Sequence, residues 1–199
     1  MKGTIAVISV DPGFFDRVKQ HLHRSGYSVA GFASEQDACS HALASDCFLF
    51  SVAGKLSGGF DYLRRMKSSA PVTPVILAAR EADLDLVLLA GQLGAVDFLL
   101  EPLEKKRLLK AVGVAMQQAV DHAEAIHERA SLQARYSDLT ERQRETMYLL
   151  LQGMGNRDIA LQFSISVRTV EIYRAAVMAR MNASSLVQLV RMGIRLGLD

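Results

Sequence analysis

Over the first hundred residues five short apolar runs alternate with stretches of helical spacing, and that alternation leaves few folds open. The runs are Thr4–Val10, Ser28–Phe32, Cys47–Ser51, Pro74–Ala78 and Val96–Leu99. Cys47–Ser51 is apolar almost throughout, as strands buried on both faces of a parallel sheet are. Between the runs, Phe14, Phe15, Val18 and Leu22 fall at helical spacing and Gly26 follows as a terminator. Ser34 suits an N-cap for a helix to Leu43, a Gly-rich loop from Gly54 to Gly59 leads to a helix about Phe60–Met66, and Leu84–Leu93 forms another. The expected fold is an α/β doubly wound five-stranded parallel sheet. In that architecture function gathers at the carboxyl ends of the strands, here near Asp11, Ser51, Ala79 and Glu101.

From Glu104 the pattern turns helical and no proline follows Pro102. Leu108, Val112, Ala115, Ala119 and Ile126 lie roughly on one stripe, so 104–135 reads as a long helix or helical linker. The last 60 or so residues split into four short helical blocks. Thr140 with Gln143 forms a capping box, Asn156 is placed to cap a second helix, Ser166 a third, and Ser185 opens a fourth that runs to Leu196. A short helix, the tight turn Ser164–Ser166 and a following helix make the supersecondary unit that enters DNA grooves when its second helix is free on one side. The domains expected are 1–120, a linker over 121–137, and 138–199.

Net charge is only +2 over 199 residues, but it is an average over unlike parts. Residues 1–104 hold nine Lys/Arg against twelve Asp/Glu, and residues 137–199 hold eight against six, all eight being Arg. Arginine supplies the planar donor fork suited to phosphates and guanine edges. On charge alone, a solvated helix face and a DNA-facing surface are equally open readings. The third helix separates them. Val170, Tyr173, Val177 and Met181 share an arc of about 80° that forms its core face. Its other side carries Arg168, Glu171, Ile172, Ala175 and Ala179, flanked by Arg174 and Arg180, where a helix built only for solubility would carry Lys and Glu. Thr169 and Arg157 stand where phosphates can be anchored.

The segments Leu139–Glu145, Gly153–Ala160, Ile165–Arg174 and Met178–Met181 together closely resemble the LuxR/FixJ-type helix-turn-helix domain over about 60 residues. The resemblance implies a recognition helix at Ser166–Met181 with Glu171, Ile172 and Ala175 toward the bases. It implies backbone contacts from Arg157, Arg168, Thr169, Arg174 and Arg180, with Asn156 and Ser166 at the adjoining helix starts. Tyr173 stands where the family commonly has His. Leu186, Leu189, Val190 and Gly193 fall on the helix that the family uses to dimerise.

The front resembles the receiver domain of two-component response regulators, a flavodoxin-like fold, through Ile5–Asp11, Gly58–Leu63 and Gly94–Pro102. It departs at the phosphorylation site. Val10 replaces one of two acids that would hold magnesium, Ser51 stands at the phosphoaccepting Asp, Ala79 at the switch Thr/Ser, and Glu101 at the phosphoryl-pairing Lys. Acyl-phosphate formation needs a carboxylate nucleophile, Mg²⁺ held by several oxygens and a cation. All of these are altered, so aspartyl phosphorylation is not expected and Asp11 reads as a helix cap.

Other chemistry is thin. Gly54-Lys55 lacks P-loop spacing, His21 and His23 have no acid or Cys to complete a metal set, and Cys39 and Cys47 read as small core residues. No metal, cofactor or enzymatic activity is expected. The apolar run after Lys2 is too short for a secretory segment and Leu84–Leu100 is interrupted by charges, which points to the cytoplasm. The expected partners are double-stranded DNA and a second copy of the chain, with RNA polymerase or another regulator as further candidates. The alternatives are a docking module for another regulator or kinase, and a ligand- or redox-controlled regulator.

Overall fold

The computed structural model describes residues 2–34, 36–37, 45–52, 58–66 and 73–198. It divides into two compact units, Met1–Ala123 and Glu124–Asp199.

The first unit carries five strands, β1 (Thr4–Ile8), β2 (Ser28–Phe32), β3 (Cys47–Ser51), β4 (Val75–Ala79) and β5 (Asp97–Leu100). They pair in the order β2-β1-β3-β4-β5, every pairing parallel. Around the sheet run helices α1 (Pro12–His23), α2 (Gly58–Met66), α3 (Leu84–Gln92) and the first part of α4 (Lys105–Ser137). Strand side chains alternate between two cores. Ile5, Val7, Cys47, Leu49, Ile76 and Ala78 pack with Phe14, Val18 and Leu22 of α1 and Leu108, Val112 and Ala115 of α4. Ala6, Phe48, Phe50, Val75 and Leu77 pack with Phe60 and Leu63 of α2 and Leu86 and Ala90 of α3. Burial on both faces explains the continuous apolar runs.

β1 stops two residues short of the expected Val10, because Asp11 already caps α1 by accepting from the Gly13 amide at 2.9 Å, and Val10 is left 89% exposed. The cap at Ser34 is present, with the Asp37 amide donating to its hydroxyl, but the expected helix to Leu43, the loop 54–57 and Cys39 lie outside the described residues. α4 is one continuous helix. Its stripe is buried at Leu108, Val112 and Ala115, whereas Ile126 is exposed along with everything from 121 to 130.

The second unit holds the rest of α4 and the helices α5 (Glu141–Leu151), α6 (Asn156–Phe163), α7 (Val167–Met181) and α8 (Leu186–Leu196). Its core joins Leu132 and Leu139 to Met147, Leu150, Ile159, Val170, Val177, Met181 and Leu189. The capping box on α5 is complete: the Gln143 amide donates to Thr140 Oγ1 and the Thr140 amide donates to Gln143 Oε1. α6 departs from expectation. Gly155 is its N-cap, without a side-chain cap, and Asn156 is the first helical residue, free to use its amide elsewhere. α6 ends on Ser164 in the left-handed region at φ 52, which folds Ile165 back toward the core and brings Ser166 to the start of α7.

Candidate DNA-reading surface and the strand-end site

At the carboxyl ends of the strands two acids and two arginines form a closed ring of ion pairs. Asp11 follows β1, Arg17 lies on α1, Arg80 follows β4 and Glu101 follows β5. Arg80 Nη2 donates to Asp11 Oδ2 at 2.8 Å, and Arg17 Nη2 donates to Glu101 Oε2 at 3.2 Å. The cross pairs Arg17–Asp11 at 3.6 Å and Arg80–Glu101 at 4.0 Å complete the ring. The Glu101 side chain is only 9% exposed, Asp11 34%, Arg17 52% and Arg80 72%. Glu101 is held further by the backbone, its amide donating to the Ala79 carbonyl at 2.8 Å. Desolvation pushes the Asp11 carboxyl upward. The Gly13 amide, the Arg80 guanidinium, the Phe14 amide and the Arg17 charge outweigh it and hold the group below its ordinary 3.8.

Of the four residues expected at this end, the structure thus joins Asp11 and Glu101 through arginine. Ser51 ends β3 half-buried, opposite Ala78 in the register, and Ala79 is 1% exposed. A magnesium ion does not fit these residues. Val10, 89% exposed, offers no oxygen ligand beside Asp11, and both acids are already compensated by guanidinium groups. Among the described residues no group of three or more His, Cys, Asp or Glu side chains could hold a metal. Arg17 and Arg80 were not legible in the sequence, since each is an unremarkable surface cation until the chain folds. Cys47 is fully buried, and desolvation first, with the Asp46 charge second, pushes its thiol up to about 12. It is a core residue and not a thiolate sensor.

In the second unit α7 is oriented by its core face. Val170, Val177 and Met181 are fully buried, and Tyr173 is half-buried beside them. Ser166 caps the helix, accepting from the Thr169 amide at 3.1 Å, and the two hydroxyls lie 2.8 Å apart. The outward surface carries Arg168, Glu171, Ile172 and Ala175, with Ile172 57% exposed and Arg157 exposed on α6. Arg168 and Glu171 pair loosely at 3.8 Å, leaving both side chains largely in solvent. Two expected phosphate contacts have protein partners as well. Arg174 is half-buried and donates to Asn156 Oδ1 at 3.2 Å, which ties α7 to the start of α6. Arg180 donates to the Asp138 carbonyl at 2.6 Å, and Arg135 donates to the Met181 carbonyl at 3.3 Å, so the end of α7 is fastened to the end of α4 from both sides. No sequence pattern marks these long-range links.

The stripe on α8 divides between the core of its own unit and the surface. Leu189 is fully buried and Gly193 is buried against Leu151, where an added Cβ would come within 2.5 Å of Leu151 Cδ1. These two hold α8 to its own unit. Its outward apolar side chains are Leu186 at 36%, Val187 at 63% and Ile194 at 61% exposure, so the i, i+3, i+4, i+7 stripe is exposed at Leu186 and half-buried at Val190.

A parallel sheet in this order, followed by a capped helix-turn-helix, is the architecture of a two-module regulator with a DNA-binding domain. Family comparison agrees with both halves. Residues 5–113 match the response regulator receiver domain, and residues 137–193 match the luxR family of bacterial regulatory proteins. The chain belongs to the response regulators with a LuxR-type DNA-binding domain, and is a transcription regulator. It is 36% identical to the transcriptional regulatory protein FixJ of Bradyrhizobium diazoefficiens over 200 residues, covering 99% of this chain and 97% of that one. It is 27% identical to the response regulator protein TmoT of Ectopseudomonas mendocina over 197 residues, 98% of this chain and 90% of that one. Among solved structures, full-length FixJ from B. japonicum matches with TM-score 0.56 at 34% identity, covering 100% and 99% of the two chains. The response regulator StyR shares the fold, with TM-score 0.78 at 23% identity over 96% and 98%. Among the described residues no helix is long and apolar enough to cross a membrane.

Proposed function

We propose that the chain binds duplex DNA as a homodimer and that its receiver-like half works without aspartyl phosphorylation. The ring Asp11–Arg80–Glu101–Arg17 carries this reading. It supplies internally the charge neutralisation that a metal and a phosphoryl group would bring, at strand ends where Ser51 offers a hydroxyl in place of a carboxylate. The domains are 1–120 for the receiver-like half, 121–137 for the linker and 138–199 for the DNA-binding half, a division supported by the solvent-exposed stretch 121–130.

On DNA, Glu171, Ile172 and Ala175 face the bases of a major groove. Asn156, Arg157, Ser166, Arg168, Thr169, Arg174 and Arg180 serve the phosphate backbone directly or by placing those that do. Two recognition helices then sit about 34–36 Å apart on successive turns of the duplex. Dimerisation draws on α8, through Leu186 and the half-buried Val190 of the expected stripe together with the exposed Val187 and Ile194. In the receiver-like half it draws on the exposed Leu84, Val87 and Leu88 of α3 with Leu100 of β5. Aspartates at 83 and 85 beside that strip and Lys105, Lys106 and Lys110 at the start of α4 favour self-pairing about a two-fold axis. The chain acts in the cytoplasm, with RNA polymerase or another regulator as a further partner.

Selection of bound sequences from random duplex DNA, with and without acetyl phosphate and Mg²⁺, tests both halves. The expected result is enrichment of paired half-sites, unchanged by the donor, with no phosphate on the recovered protein by mass. A donor-dependent change in affinity, or phosphate on the receiver-like unit, overturns the phosphorylation claim, and the absence of any enriched site overturns the DNA claim.

A further inference from the structure

The C-terminal ends of α4 and α7 meet, and each supplies a donor that the other needs. The last carbonyls of a helix have no partner within it and carry the negative end of its dipole. Arg135, in the last turn of α4, donates from Nη1 to the Met181 carbonyl at 3.3 Å and from Nη2 to Ser131 Oγ at 3.3 Å. Arg180, in the last turn of α7, donates from Nη1 to the Asp138 carbonyl at 2.6 Å. Each arginine thus closes the end of the other helix. Leu132 and Leu139, on either side of Arg135 in the chain, are buried in the core that holds Val177 and Met181.

Arg180 is set apart from the outward surface of α7. Residues 168, 171, 172 and 175 share an arc of about 100°, and Arg180 lies about 80° beyond its edge. It also stands about 18 Å along the helix from Arg168, whereas the first turns of a recognition helix are the ones that reach base edges. Its guanidinium is directed at the end of α4. Arg168, by contrast, falls within the outward arc, exposed and only loosely paired with Glu171 at 3.8 Å.

We infer, on the reading of α7 as the recognition helix, that Arg135 and Arg180 are positioning residues: they lock the far end of that helix onto α4, and Arg180 makes no phosphate contact. Loss of either arginine frees the end of α7, and Glu171, Ile172 and Ala175 then meet the bases at a changed angle. Affinity for the preferred site falls, while the general attraction to duplex DNA is kept.

The test is fluorescence anisotropy of the full chain on two labelled duplexes, one carrying the selected site and one of scrambled sequence, over a range of salt. Arg135→Gln and Arg180→Gln are each expected to weaken binding to the selected site about five-fold, to leave the scrambled duplex within about two-fold, and to keep the parental salt slope. Arg168→Ala is the phosphate control, weakening both duplexes alike and lowering the slope by about one. Partial unfolding would also weaken both alike, so the ratio of the two affinities separates positioning from a loss of folded protein. Arg135→Lys, which can still donate to the Met181 carbonyl, should recover most of the affinity. Equal weakening of the two duplexes by Arg180→Gln, or a slope lowered by about one, overturns the inference, as does parental affinity for the selected site in Arg135→Gln. Hydrogen exchange needs no DNA: the amides of residues 180–183 should exchange at least about five-fold faster in Arg135→Gln than in the parent. Parental exchange there overturns the clamp even where the chain selects no site, which keeps this failure apart from that of the DNA reading.

Discussion

Replacing Glu101 by lysine restores the residue type that receivers of this family carry after their fifth strand, and the ring of ion pairs predicts that it harms this one. The substitution removes the acceptor of Arg17 at 3.2 Å and sets a third cation beside Arg17 and Arg80. Two unit charges at that distance interact by about 1.3 kcal/mol in bulk water and about 5 kcal/mol at an effective dielectric of 20. Glu101 is 9% exposed but Arg17 is 52% exposed, which places the pair toward the aqueous end. Loss of the pair then costs about 1 kcal/mol, and repulsion adds about as much again after the lysine swings toward solvent. The expected destabilisation of the receiver-like unit is about 2 kcal/mol, or roughly 30-fold in an equilibrium constant. Hydrogen exchange of the full chain, resolved to β1, β4 and β5, reads this unit separately, and exchange of its slowest amides should quicken by about that factor. Adding Arg17→Ala to Glu101→Lys should recover part of the loss by removing a repulsive neighbour. Unchanged or slower exchange in Glu101→Lys would refute the reasoning, as would purely additive loss in the double variant.

Asp11 has a lowered folded-state pKa, so its contribution is fully present above its ordinary 3.8 and disappears as pH falls through the lower folded value. The gap in thermal midpoint between the parent and Asp11→Asn should therefore be flat from pH 7 to 5 and close below about pH 3.8. Thr140→Ala removes the acceptor of the Gln143 amide and should destabilise the helical unit by about 1 kcal/mol in urea denaturation, while Gln143→Ala leaves the Thr140 half of the box and should cost less. Native alkylation followed by peptide mass analysis should leave Cys47 unlabelled, because it is buried and its thiol is pushed up to about 12; labelling without unfolding would contradict that placement. Ile172→Ala should change which sequences are selected, whereas Arg168→Ala should weaken binding on all of them and flatten the salt dependence by about one counterion. Equal losses on every sequence from Ile172→Ala would remove it from the base-facing set.

What the sequence made legible was local. β2 and β3 begin and end at the expected residues, β3 as an apolar run buried at four of its five positions and β2 as a partly buried strand at the sheet edge. The caps at Thr140, Ser166 and Ser185 could be read because a capping side chain and its target amide lie three residues apart. Asn156 was misplaced by one position, since Asn and Gly are both good N-caps and only the backbone distinguishes them. The stripe on α8 could be found but not its direction. A periodic apolar face says that something covers it, and here the unit's own core covers Leu189 and Leu151 covers Gly193, while Leu186 stays exposed. The hardest to read were the contacts of Arg17, Arg80, Arg135 and Arg180. Their partners stand 84, 69, 46 and 42 residues away in the chain. Nothing but the topology brings them together. Glu101 illustrates the cost: read alone it is a charge hostile to a phosphoryl group, and only the fold reveals that two guanidinium groups already answer it.

An acyl phosphate is a covalent record, outlasting the signal that wrote it until hydrolysis erases it. Ion pairs at the same strand ends keep no such record. The four charges here sit between 9% and 72% exposed to solvent, within reach of the surrounding ions at every moment. At physiological ionic strength the screening length is about 8 Å, longer than each contact in the ring, so salt screens the pairs only in part, and they break and re-form reversibly. On the proposed reading without aspartyl phosphorylation, a receiver held this way has no memory: its condition is a function of the present medium and of whatever is bound to it.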